Sequence, residues 1–175
     1  MNNIEQQLLS SPDVERLLTL GSGRVVSQQP VLTLTQRFEQ QVERTPDAIA
    51  VVLADQQVSY GMLNAYANQL AHYLRRQGVG PEASVGVFLE RSLDVLVALW
   101  GILKAGGMYV PLDTEAPDER LNWIISDVKP IVLLTSAHFA ARFSSEMPVL
   151  DSWWEALADE PDDNLGTVIS VEQLA

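Results

Sequence analysis

With 175 residues and a 47% hydrophobic composition, the chain is long enough to build one domain-sized core, or one substantial part of a larger domain. Lys and Arg number 11 against 23 Asp and Glu, and the formal charge of -12 repels a phosphate backbone, which argues against nucleic acid as a partner. There is no cysteine, so disulfides, thiolate metal sites and cysteine nucleophiles are excluded together, and the composition fits a reducing, cytoplasmic setting.

The start, Met1-Asn2-Asn3-Ile4-Glu5, lacks the basic stretch and apolar run of a secretory signal. Ser11 and Pro12, followed by Val14, Leu17 and Leu18 at helical spacing, predict a short helix that ends at Gly21-Ser22-Gly23. Residues 21–30 are polar and aperiodic, so the expected organisation is a leading helix and linker over 1–30 and a main body over 31–175. Thr33 and Gln36 stand at capping-box spacing, and Leu34, Phe38 and Val42 mark one face of a helix that stops before Pro46. Residues 49–53 and 58–60 are β-prone runs around the turn-like Asp55-Gln56-Gln57, which predicts an antiparallel hairpin.

Leu63, Ala67, Leu70 and Leu74 form the stripe of an amphipathic helix closed by Gly78 and Gly80. Residues 85–89 suit a buried strand, and residues 93–103 an almost wholly apolar core helix. The longest strongly apolar stretch, 95–103, is far shorter than the roughly 20 residues a membrane span needs. Gly106-Gly107 release the chain into a short strand at Tyr109-Val110-Pro111, and Pro117 opens a helix with Leu121, Ile124, Ile125 and Val128 on its apolar face. After Pro130, residues 131–134 return as a strand. The order from residue 84 is strand, helix, strand, helix, strand, and it predicts an α/β fold: a mainly parallel sheet flanked by helices, plus the short N-terminal hairpin. Beyond Asp151 the pattern weakens to Trp153-Trp154, an acidic loop over 159–163 and a terminal Val168-Ile169 run.

Generic chemistry-bearing patterns fail one by one. Gly78, Gly80 and Gly86 precede the strand a dinucleotide turn should follow, and Lys104-Ala105-Gly106-Gly107 reverses the order of a phosphate loop, reading instead as a capped helix end. His72 and His138 show no metal-ligand spacing and read as surface histidines. Asp159, Glu160, Asp162 and Asp163 are interrupted by Pro161 and read as a solvated loop rather than a calcium site. Thr135 and Ser136 follow a strand without a nucleophile elbow and read as a polar strand end. No catalytic, cofactor-binding or metal-binding residue is assigned.

The stretch Leu103-Lys104-Ala105-Gly106-Gly107-Met108-Tyr109-Val110-Pro111-Leu112-Asp113 is similar to the second core motif of nonribosomal peptide synthetase adenylation domains. Val58-Ser59-Tyr60-Gly61-Met62-Leu63 resembles the first, departing from it at Val58 and Met62. The resemblance extends through Phe38-Glu39, Arg44-Thr45-Pro46-Asp47-Ala48, Asn68-Gln69-Leu70-Ala71, Leu89-Glu90-Arg91-Ser92 and Glu119-Arg120-Leu121, with further departures at Tyr66 and Ala116. It implies part of the large N-terminal subdomain of an adenylate-forming enzyme, with these early motifs shaping scaffold. In the family a segment like Glu172-Gln173-Leu174-Ala175 leads into the loop that cradles ATP phosphates. The resemblance therefore implies a fragment that binds no cofactor and is inactive alone. The complete domain would use ATP and Mg to make an aminoacyl-adenylate and load a carrier protein, and the partners would be the remainder of the domain and synthetase. Self-association through exposed strand edges is expected, and neither nucleic acid nor membrane. A fragment of an acyl-CoA ligase and a noncatalytic docking or assembly partner are the alternatives, and the amino acid activated is not specified by these residues.

Overall fold

The computed structural model describes residues 11–21, 32–143, 149–151 and 153–166. The expected linker beyond Gly21, the Val168-Ile169 run and the segment Glu172-Gln173-Leu174-Ala175 lie outside the described residues. The chain divides into two compact units, 1–31 and 32–175. In the first, α1 spans Ser11–Gly21, with Pro12 in the first turn, where the missing N–H leaves no intrahelical bond unmade.

The second unit begins with α2 (Leu34–Arg44). Its capping box is formed as the spacing predicts: the Thr33 hydroxyl accepts from Gln36 N, and the Gln36 side chain accepts from Thr33 N at 3.0 Å. β1 (Ile49–Leu53) and β2 (Gln56–Ser59) form the antiparallel hairpin. Its turn is tighter than the sequence suggests, because Leu53 pairs with Gln56 and only Ala54 and Asp55 remain outside the ladder. Ala54 takes a positive φ of 49° to close it. Tyr60 belongs to the next helix, α3 (Tyr60–Arg76), where the Ser59 hydroxyl caps Met62 N. The expected stripe of Leu63, Ala67, Leu70 and Leu74 is buried.

β3 (Ser84–Phe88), α4 (Leu93–Ala105), β4 (Met108–Pro111), α5 (Asp118–Val128) and β5 (Val132–Thr135) then alternate as predicted. The sequence did not signal α6 (Ala137–Ala140), β6 (Val149–Leu150) or α7 (Trp153–Leu157), which are short and lack a full apolar period. The sheet order is β4-β3-β5-β6, every pair parallel. Side chains alternate across the sheet with period two, so each strand feeds two cores. Val85, Val87, Val132 and Leu134 face a cluster with Leu70, Leu74, Val97 and Ile102 of α3 and α4. Phe88 and Leu133 face the other side with Leu112, Leu121 and, partly buried, Ile124 and Ile125 of α5. A strand buried on both faces needs the continuous apolar run that β3 and β5 carry.

α3 and α4 pack closely because Gly101 faces Leu70: a Cβ there would lie 2.7 Å from Leu70 Cδ2 and 2.9 Å from Leu70 Cβ. No helix among the described residues is long and apolar enough to cross a membrane.

Candidate functional site

The strand order sets where a recess can form. From β3 the chain moves outward to β4, and from β5 it moves the opposite way to β6, so the loops leaving β3 and β5 diverge at the carboxyl ends of two adjacent strands. There an open recess of about 260 Å³ is lined by Asp94, Thr135, Ser136, Asp151, Trp153, Trp154 and Glu155. Thr135 Oγ1 donates to Phe88 O at 2.9 Å, tying the end of β5 to that of β3. Trp153 Nε1 donates to Thr135 O at 2.8 Å and to Leu150 O at 3.0 Å, which fixes the indole as the inner wall. Trp154 stands edge-on to Tyr66, with centroids 4.8 Å apart.

Asp94 lies in the first turn of α4, where the helix dipole favours a carboxylate, yet burial pushes its carboxyl above the ordinary value of 3.8. With three carboxylates and no Lys or Arg in its lining, the recess suits donors or cations and disfavours phosphate. Among the described residues no group of three His, Cys, Asp or Glu is placed to hold a metal ion. Asp94 is far in sequence from Asp151 and Glu155 and the three follow no motif, so the order of the strands brings Asp94 to the rim that the other two occupy. Thr135 and Ser136, taken from sequence as a polar strand end, sit at that rim. Ser136 Oγ lies 3.0 Å from His138 Nδ1, but among the described residues no carboxylate is hydrogen-bonded to that exposed imidazole, and a triad is not formed.

The other motif region is closed. Lys104 is not on a charged surface, as its place near a helix end suggests; its side chain is 2% exposed. The ammonium pairs with Glu39 of α2 and donates to Asn164 Oδ1 at 3.0 Å. Burial pulls its pKa below 10.5, while the hydrogen bond to Glu39 and that carboxylate's charge oppose the shift. Gly106 adopts the left-handed conformation, φ 80°, and its N–H donates to Leu103 O at 3.0 Å; Gly107 N donates to Ile102 O at 2.9 Å. A Cβ on Gly107 would meet Val79 Cγ1 at 2.6 Å and Ala83 O at 3.1 Å, so this position needs glycine for close approach. These N–H groups are spent on capping and lie at the negative end of α4, so Lys104 and the glycines do not fit the phosphates of ATP.

The acidic loop over 159–163 also differs from its reading as fully solvated. Glu160 is buried and pairs with Arg76, Asp163 O lies 3.1 Å from His72 Nε2, and Asp162 O accepts from Asn68 Nδ2 at 2.7 Å. The polar face of α3 holds these residues. Past the motif, Arg142 reaches over the loop after β4, donating to Thr114 O at 3.2 Å, Ala116 O at 3.1 Å and Asp118.

The family described as AMP-binding enzyme matches residues 38–173. The chain belongs to that family. It is 40% identical over 147 residues to tyrocidine synthase 3 of Brevibacillus parabrevis, covering 82% of this chain and 2% of that protein. It is 38% identical over 173 residues to gramicidin S synthase 2 of Brevibacillus brevis, covering 98% of this chain and 4% of that protein. Among solved structures, the AMPPNP-bound form of the nonribosomal peptide synthetase FmoA3 superposes with a TM-score of 0.77 at 28% identity, over 88% of this chain and 17% of that one. The chain thus spans only a few per cent of the length of the curated relatives it matches.

These similarities agree with the adenylation-domain resemblance carried by Leu103 to Asp113, and the chain corresponds to a short N-terminal portion of such a domain. Its departures from the family pattern fall where the fold tolerates them. Met62 is half exposed, Val58 is buried as an apolar residue, Ala116 packs beneath α5, and Tyr66 finds Trp154.

Proposed function

We propose that this AMP-binding family member serves as the scaffold-bearing front of an amino-acid-activating adenylation domain. The complete domain uses ATP and Mg to form an aminoacyl-adenylate and passes it to a carrier protein, acting in the cytoplasm. In this reading residues 1–30 are a leading helix and linker, and 31–175 belong to the adenylation domain. The observation that carries it is the family match over 38–173 together with the motif from Leu103 to Asp113, placed at the α4–β4 junction.

By itself the chain is catalytically silent. Adenylate formation develops charge on the α-phosphate and on departing pyrophosphate, and that charge needs preorganised donors and cations. Among the residues described, the glycine N–H groups of the motif are committed to the α4 cap and its lysine to Glu39 and Asn164. The expected result is no exchange of labelled pyrophosphate into ATP, with any amino acid, by the purified chain. Exchange in a mixture with the separately expressed remainder of the domain supports the reading; turnover by the chain alone refutes it.

Self-association is a second part of the proposal. β4 borders only β3, and β6 borders only β5, so each offers an unpaired edge among the described strands. Sedimentation should find oligomers at micromolar concentration; a monodisperse monomer that binds no hydrophobic dye would contradict this.

A further inference from the structure

We propose that Lys104 is a positioning residue whose buried ammonium pins the strap formed by residues 160–164 against α3 and α4, fixing the course of the chain up to Gly166. The inference stands on this chain's own contacts, independent of the reaction assigned to the complete domain.

A helix end has no need of a buried cation. Taking an ammonium out of water is costly unless partners compensate, and an apolar side chain of similar length would fill the same space. The partners here come from separate parts of the chain: Glu39 from α2 and Asn164 from the strap. Asn164 Oδ1 accepts from Lys104 Nζ at 3.0 Å, Asn68 Nδ2 at 3.0 Å and Asn64 Nδ2 at 3.2 Å. An ammonium can only donate, so it dictates which end of the Asn164 amide faces inward. Asn68 is oriented in the same way from its other side, because its Nδ2 also donates to Asp162 O, which can only accept.

The whole strap follows this polarity. The body supplies donors, Asn64, Asn68, Gln69, Arg76 and Lys104, and the strap supplies acceptors: Glu160 O and its carboxylate, Asp162 O and Asn164 Oδ1. His72 Nε2 faces Asp163 O in the same sense. The cost is visible beneath it, where Asn64 Oδ1 and Asn68 Oδ1 are buried with no partner among the described residues. Those orientations are retained because the ammonium and the Asp162 carbonyl both require them. Without the ammonium, nothing on the α4 side among the described residues selects the oxygen of Asn164 over its NH₂ group.

Amide hydrogen exchange on the full chain tests this. Lys104→Met keeps a similar length while deleting the donor, and Asn164→Ala removes the receiving oxygen from the strap side. Each should speed exchange of the amides of 160–166 about tenfold, while the amides of β3 and β5 stay within about twofold of wild type. Because Lys104 reaches the strap through Asn164 Oδ1, an oxygen that Asn164→Ala already removes together with its bonds from Asn64 and Asn68, the double variant should be no faster than the faster single variant. Should Lys104→Met fail to fold, Asn164→Ala decides alone, since its own side chain is on the outer strap. Unchanged strap exchange in Asn164→Ala, multiplicative effects in the double variant, or acceleration spread equally over β3 and β5 would each overturn the proposal.

Discussion

On the α3–α4 flank the cations Lys104 and Arg76 each have a carboxylate partner, and the strap closes over Lys104 while Arg76 stays largely exposed. At the carboxyl rim of the sheet, Asp94, Asp151 and Glu155 line an open recess with no cation in its lining. Both regions put charge beside apolar elements, yet only the flank neutralises it internally. The first part of the family signature, Leu103 to Gly107, lies on the closed flank. A segment that identifies a family need not be where ligands bind; here its glycines cap a helix and admit Val79, and its lysine holds a strap.

The sharpest way to break the flank is to wedge it apart. Gly101→Val places new methyl groups where Leu70 already stands within 2.9 Å, and neither helix can shift without disturbing the buried Leu74 and Ile102. Overpacking of this kind should cost about 3 kcal/mol, read as a lowered urea midpoint with an unchanged slope. A midpoint equal to wild type would mean that the α3–α4 contact has room to absorb the added methyl groups.

The rim should respond in the opposite direction and more weakly. Asp94 has its folded pKa raised by burial, so the native state holds its proton more tightly than the unfolded chain does. Ionisation therefore destabilises the fold: stability falls as pH rises from 3.8 through the raised value, and the loss is complete above it. Asp94→Asn should stabilise the chain at neutral pH by at most about 1 kcal/mol, part of the gain being offset by loss of the favourable helix-dipole contact. That gain should fade as pH falls toward 3.8. Denaturation curves at several pH values check it, and a destabilised variant at neutral pH would show that the dipole outweighs burial.

The scaffold was legible in the sequence wherever a period ran long enough. The capping box at Thr33 and Gln36, the α3 stripe and the β3–α4–β4–α5–β5 alternation all appear as read. The limits of β3 and β5 moved by one residue, because Ser84 and Thr135 are polar yet make side-chain bonds to Val128 O and Phe88 O that let them join the sheet. The roles of Lys104 and Glu160 were not legible. A lysine near a helix end and a glutamate in an acidic run both look solvated, and their burial depends on partners 65 and 84 residues away. The rim was invisible for the same reason, as no local pattern joins Asp94 to Asp151.

The strand order also bears on synthesis at the ribosome. β3 occupies the middle of its sheet, but both neighbours are translated after it, and β5 begins roughly 44 residues beyond Phe88. At usual elongation rates that interval is roughly 2–9 s. In its first part both edges of Val85, Val87 and Phe88 wait for a neighbour; once Met108–Pro111 has been made, β4 can serve one edge while the other still waits for β5. Nascent chains should be most prone to chaperone capture in that window, and capture should subside once Val132–Thr135 clears the exit tunnel.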